Sequence, residues 1–184
     1  MKKYLIAITV SLFMTVAHAA DPLDEAEIEQ AANDFATANT TTSQNLEDEI
    51  LISQIGIDNF ARTDQLGTTN ANVALTQTGN DNATGTFQNG LNNNIVITQQ
   101  GNGNLLVVTQ AGDNNAATLN QTNDYNNFNL NQTGGANSAT VTQTGNSSMT
   151  LNQTGSQSAD ISLQGTAQGA ITQLSPTLFL NISN

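Results

Sequence analysis

The chain has 184 residues, of which 10% are charged and 4% aromatic, with no Cys and no Trp. Three Lys and Arg against 15 Asp and Glu give a formal charge of −12, which argues against a nucleic-acid partner, since phosphate binding needs cations. The lack of Cys removes disulfides and thiolate metal sites from consideration.

Residues 1–19 read as a secretory signal peptide. Lys2 and Lys3 form its basic start, Tyr4 to Val16 its apolar stretch, and Ala17-His18-Ala19 the small-x-small cleavage signal. The apolar run is shorter than the roughly 20 residues of a spanning helix. Cleavage after Ala19 takes away both lysines and the only histidine, His18, leaving Arg62 as the one cation of a secreted, acidic chain.

Residues 20–49 form an acidic lead: Asp21, Asp24, Glu25, Glu27, Glu29, Asp34, Glu47, Asp48 and Glu49. Leu23, Ile28, Ala31 and Phe35 fit one side of a short helix. So few large apolar residues do not offset the entropy of ordering, so the lead is expected to be disordered or weakly helical.

From 50 to 173 the chain is periodic. Between Asn93 and Ser147 it divides into five eleven-residue units, each starting with Asn and carrying Gln at its seventh position. Over the whole stretch the recurring amides are Gln54, Gln65, Gln77, Gln88, Gln99, Gln110, Gln121, Gln132, Gln143 and Gln153, with Asn59, Asn82, Asn93, Asn104, Asn115, Asn126 and Asn137. Gly follows two residues after most of these glutamines. Third and fifth positions are mostly apolar, as in Ile95/Ile97, Leu106/Val108 and Phe128/Leu130. Eleven residues is also the repeat of a right-handed coiled coil. The apolar pair, however, is spaced by two, and Asn, Thr and Gly are poor helix formers. Each unit is therefore a strand followed by a Gly-containing turn.

Positions one, three, five and seven of such a strand share the inner face, which puts an Asn and a Gln inside. A buried amide without partners costs about 1–3 kcal/mol. Stacking identical units in register places each amide about 4.8 Å from its equivalents, where NH2 groups can donate to the next carbonyl in a ladder. An antiparallel meander gives no such columns. The expected fold is all-β, a β-solenoid with two strands per coil and about five to six coils. Large and small inner residues alternate between successive units, as in Ala117 with Phe128 and Ala139 with Met149, which suits two strands facing across a thin core.

After Gln153 the pattern decays. Gln164 and Gln173 persist, but Ile161 and Leu163 have slipped by one place relative to Gln164, and a one-residue slip in a strand reverses its faces. The tail, 174–184, carries Pro176 and the alternation Leu178, Leu180, Ile182, a short terminal strand or an exposed apolar arm.

No catalytic, cofactor-binding or metal-binding residues are assigned. One Arg, no His in the repeats and acids at scattered phases give no acid/base pair. Asp58 and Asp81 lack the several oxygen ligands calcium needs. The turn acids Asp58, Asp81, Asp113 and Asp124 have two readings, as charges that slow premature stacking or as solvated turn formers. Outward Thr on several units (Thr76/Thr78, Thr142/Thr144) permits an alternative, a monomeric solenoid binding ice or carbohydrate, although Asn89, Gln100 and Ala111 interrupt the ranks. Phe87, Leu105 and Val107 point outward on alternate units and form a small apolar patch.

The units Asn82-Gln88-Gly90, Asn104-Gln110-Gly112 and Asn137-Gln143-Gly145, the last followed by Ser147 and Gln153, resemble the repeats of the curlins, the subunits of bacterial curli amyloid fibres. The resemblance covers about 50–173. It implies a secreted structural subunit of an extracellular functional amyloid, serving adhesion and biofilm matrix. It implies as partners the chain itself, other curlin-type subunits, an outer-membrane export channel and the bacterial cell surface. The acidic lead and the degenerate C-terminal repeat lean toward the minor, nucleating kind of subunit. The repeats depart from the family in their near lack of basic residues.

Overall fold

Strands alternate along the chain between two parallel sheets. The computed structural model describes residues 7–11, 39–43, 48–174 and 176–183. The strands are β1 Ala7–Ser11, β2 Asn39–Ser43, β3 Glu49–Ile55, β4 Phe60–Thr69, β5 Asn72–Thr78, β6 Ala83–Leu91, β7 Asn94–Gln100 and β8 Leu105–Ala111. They continue as β9 Ala116–Thr122, β10 Asn127–Thr133, β11 Ser138–Thr144, β12 Ser148–Thr154, β13 Ser158–Gln164, β14 Gln168–Thr172 and β15 Thr177–Ser183. Odd-numbered strands make one sheet, in the order β1-β3-β5-β7-β9-β11-β13-β15; even-numbered strands make the other, β14-β12-β10-β8-β6-β4-β2. The chain is a β-solenoid with two strands per coil, and β3 to β14 make six coils.

Register follows the repeat. Neighbours in a sheet are two units apart, so Leu106 lies beside Phe128 and Phe128 beside Met149, while Ile95 lies beside Ala117 and Ala117 beside Ala139. The odd sheet carries Ala117 and Ala139 where the even sheet carries Phe128 and Met149, so bulk on one side is matched by small residues on the other. Alternation within each strand is the cause of this core: Leu106, Val108, Phe128, Leu130, Leu119, Val141 and Leu151 are all buried, and the residues between them face solvent. In β4 and β6 the inner positions include Thr63, Thr84 and Thr86, buried as hydroxyls beside Ala61.

The turns are as repetitive as the strands. A residue with positive φ stands immediately before each of several inward asparagines: Asp81 at 57°, Asn92 at 56°, Asn114 at 61°, Tyr125 at 60° and Ala136 at 58°. Glycine opens most turns for a second reason. Gly79 has φ 113°, and a Cβ there would collide with the carbonyl of Gly101 in the next coil. Coil spacing thus excludes a side chain at this position.

At the ends one expectation changes and two open ones are resolved. Asn39–Ser43, inside the lead expected to be disordered or weakly helical, is a strand paired with β4. The rest of the lead (20–38 and 44–47), the cleavage position after Ala19 and most of the leader lie outside the described residues; Ala7–Ser11 of the leader pairs with β3. At β13 the slip is resolved in favour of the apolar residues. Ile161 stays in register with Val141 and Leu163 with Gln143, both buried, and Gln164 turns outward. The tail forms β15, with Leu178, Leu180 and Ile182 half-buried against the core.

Candidate functional site

Every glutamine of the series Gln54 to Gln153 and every asparagine of the series Asn59 to Asn137 is at least 98% buried, the least so being Asn59 at 2% exposure. In the odd sheet, Gln54 Nε2 donates to Gln77, Gln77 to Gln99 (2.7 Å), Gln99 to Gln121 (2.8 Å) and Gln121 to Gln143 (2.7 Å). In the even sheet, Gln65 donates to Gln88 (2.8 Å), Gln88 to Gln110 (2.9 Å), Gln110 to Gln132 (2.9 Å) and Gln132 to Gln153 (2.8 Å). Gln173 extends this column, accepting from Gln153 at 3.0 Å. Gln173 keeps the period in the sequence but lies outside the expected series Gln54 to Gln153; Ile171 stands two residues before it as Leu151 does before Gln153.

Most of the glutamine amides also cross the core. Gln99 Nε2 donates to the Ala83 carbonyl (3.3 Å), Gln110 to Asn94 (3.2 Å), Gln121 to Leu105 (3.2 Å) and Gln132 to Ala116 (3.0 Å). These carbonyls belong to the first residues of strands in the opposite sheet, or in Ala83's case likewise, so one side chain both continues its column and staples the two sheets. Thr84 adds a further staple, donating to Gln99 Oε1 (2.7 Å) and accepting from Gln77 Nε2 (3.2 Å).

The asparagine columns run the other way. Asn82 Nδ2 donates back to Asn59 Oδ1 (3.0 Å), Asn104 to Asn82 (3.0 Å) and Asn126 to Asn104 (3.1 Å); in the odd sheet Asn115 donates to Asn93 (3.2 Å) and Asn137 to Asn115 (2.9 Å). The same Oδ1 atoms accept a backbone N–H, as from Asn104 N to Asn82 (3.2 Å). The second amide hydrogen ties down a turn carbonyl, Gly101 for Asn82 and Gly112 for Asn93, both at 2.8 Å. Glutamines therefore donate toward the C-terminal coils and asparagines toward the N-terminal ones. Asp48 and Ser147 hold positions at the margins of these columns: Asp48 Oδ1 accepts from Ala71 N (3.0 Å) and Ser147 Oγ donates to Asn126 Oδ1 (3.1 Å).

Both glutamine columns stop short of the N-terminal end, and the odd one also stops short of the C-terminal end, while the even one runs to Gln173 just after β14. Gln54 Oε1 and Gln65 Oε1 are buried with no hydrogen-bond partner. In the odd sheet the glutamine position passes to Leu163 in β13 and Ile182 in β15. Apart from these two N-terminal oxygens, the column amides find their partners within a single chain.

Of the turn acids, Asp113 and Asp124 accept backbone N–H groups of the coil before them, from Leu91 (2.8 Å) and Asn102 (2.7 Å). Asp58 and Asp81 occupy positive-φ turn positions. On the outer even face Arg62 pairs with Asp64 at 2.8 Å beside a hollow of 190 Å³ over Gly85, next to Phe87 and Val107. Leu105 and Val107 are exposed there, and Phe87 is half-buried. The outer Thr hydroxyls partly satisfy one another, as Thr122 and Thr144 do at 3.1 Å. Among the described residues no three His, Cys, Asp or Glu side chains gather at metal-binding distance, and no helix is long and apolar enough to cross a membrane.

The curlin associated repeat matches the chain at residues 79–112 and again at 90–122, the stretch where both columns are continuous. No curated protein and no solved structure matches the chain.

Proposed function

We propose, from the two matches to the curlin associated repeat, that the chain is a member of the curlin family and a secreted structural subunit of a curli-type extracellular amyloid fibre. The chain from Ala20 onward assembles by head-to-tail stacking of its solenoid, and the fibre serves surface adhesion and biofilm matrix. One observation carries this reading: both parallel sheets end in strands at each end of the solenoid, and strands at a sheet edge present unpaired backbone donors and acceptors that pair with another chain. Stacking there continues the same parallel sheets without a symmetry that closes, so the product is a filament with cross-β spacing. The buried amide columns (Gln54 to Gln153 and Asn59 to Asn137) support assembly by keeping the coil rigid and in register, so that the ends are presented as flat templates.

Other curlin-type subunits, an outer-membrane export channel and the bacterial surface are the partners this reading entails. The lean to a nucleating subunit draws support from the end of the odd column, where Leu163 and Ile182 replace glutamine. The ice- or sugar-binding alternative gains no specific observation, because outer Thr positions alternate with Gln100 and Asn120. The test is incubation of the chain from Ala20 onward, followed by fibre diffraction. Reflections near 4.8 Å and 10 Å are expected; a persistent monomer with neither reflection refutes the proposal.

A further inference from the structure

The two sheets do not begin at the same level at the N-terminal end, and this sets what a junction between copies requires. Strands alternate between sheets, so each strand lies half a strand spacing above the one before it. The C-terminal end finishes with β14 in the even sheet and β15 in the odd sheet. A next copy that began at β3 would set β3 against β15 correctly, but would leave one empty strand position between β14 and its β4. Asn39–Ser43 occupies that position. β2 pairs with β4 in parallel, in register from Asn39 beside Ala61 to Ser43 beside Gln65. Counted from β2, each sheet has seven strands and the two ends are flush.

Amide columns do not bridge this junction. In the odd sheet it would bring Ile182 of one copy beside Gln54 of the next, and in the even sheet Ser43 stands between Gln173 and Gln65. The existing chain already displays the consequence. Val10 of β1 is in register with Gln54, and the Gln54 Oε1 next to it has no partner. The junction is therefore held by backbone pairing along two strand edges, and β2 supplies one of the two. β1 occupies the other, the edge of β3, until the leader is removed.

We propose that Asn39–Ser43 is the docking strand through which one copy of this chain receives the C-terminal end (β14 and β15) of a second copy. The inference rests on the fibre reading above. In its test, Thr40→Pro/Thr41→Pro removes the backbone donors of β2 on both of its sides, and Thr40→Val/Thr41→Val keeps them. Each chain, from Ala20 onward, is added to preformed fibres of the unsubstituted chain. The Val variant is expected to elongate at the unsubstituted rate, and the Pro variant about tenfold slower or worse, the effect of losing a few backbone hydrogen bonds. Mixed in small amounts with the unsubstituted chain, the Pro variant is expected to add through its intact β14/β15 end and then stop growth at that fibre end. A Pro variant that elongates normally, or one that leaves fibre ends free to grow, overturns the proposal. Failure of the unsubstituted chain to form cross-β fibres is a different result, and it overturns the fibre reading instead.

Discussion

Replacing Gln110 by Leu removes one link from the middle of the even column. The side chain is fully buried; it accepts from Gln88 (2.9 Å), donates to Gln132 (2.9 Å) and donates to the Asn94 carbonyl (3.2 Å). Leu leaves Gln88 without its ladder acceptor and Gln132 Oε1 without its donor. Two stranded amide groups cost about 2–6 kcal/mol together, at about 1–3 kcal/mol each. Burial of the apolar replacement returns roughly 1–2 kcal/mol, for a net loss of about 1–4 kcal/mol. In an assembly where folding and addition are coupled, this appears in the concentration of soluble chain left at equilibrium. The loss corresponds to about a 5- to 700-fold rise, at about 1.4 kcal/mol per decade. The control is Gln164→Leu, whose side chain faces solvent at the end of β13, one residue beyond the position that Leu163 takes in the column. It is expected to change that concentration by no more than about twofold. Equal effects of the two substitutions would refute the claim that inward amides, and not glutamine content, hold the columns.

Gly79→Ala is expected to cost more than about 2 kcal/mol, from φ 113° and the collision with the Gly101 carbonyl, and to abolish assembly as read by thioflavin fluorescence. Ala136→Gly acts in the opposite sense. Relief of a non-glycine residue at φ 58° is expected to stabilise by about 0.5–1 kcal/mol after the entropy of glycine is deducted, measured as a lowered soluble concentration. Arg62→Gln breaks an ion pair whose arginine is 60% exposed, so a change below about 1 kcal/mol is expected, together with a loss of salt dependence at that site.

Much of this architecture is visible in the residues before any coordinates, because a period of eleven with apolar spacing of two admits few folds. The inward glutamines and asparagines follow from strand alternation once Ile95/Ile97 and Leu106/Val108 define the inner face. What stays hidden depends on where a side chain's second hydrogen bond goes. The donation from Gln110 to Asn94 spans the two sheets, and the opposite directions of the Gln and Asn columns are set by competition with backbone N–H groups. Neither is a matter of spacing. Gln164 illustrates a conflict between two signals. Ile161 and Leu163 gain more by burial than one amide does by joining a column that already ends, and the strand takes the apolar phase. Asn39–Ser43 carries no apolar alternation at all, and its strand is induced by the edge of β4.

The central claim is that one chain winds through many rungs before the next copy begins. In the chain from Ala20 onward Met149 is the one methionine of the three, so 13C-carbonyl methionine labels a single site in β12. In fibres of the solenoid, equivalent Met149 carbonyls lie seven strands apart, on the order of 30 Å. Solid-state NMR dipolar recoupling should then detect no coupling between them. A coupling corresponding to about 4.8 Å, the spacing of chains stacked residue upon identical residue, would contradict the account.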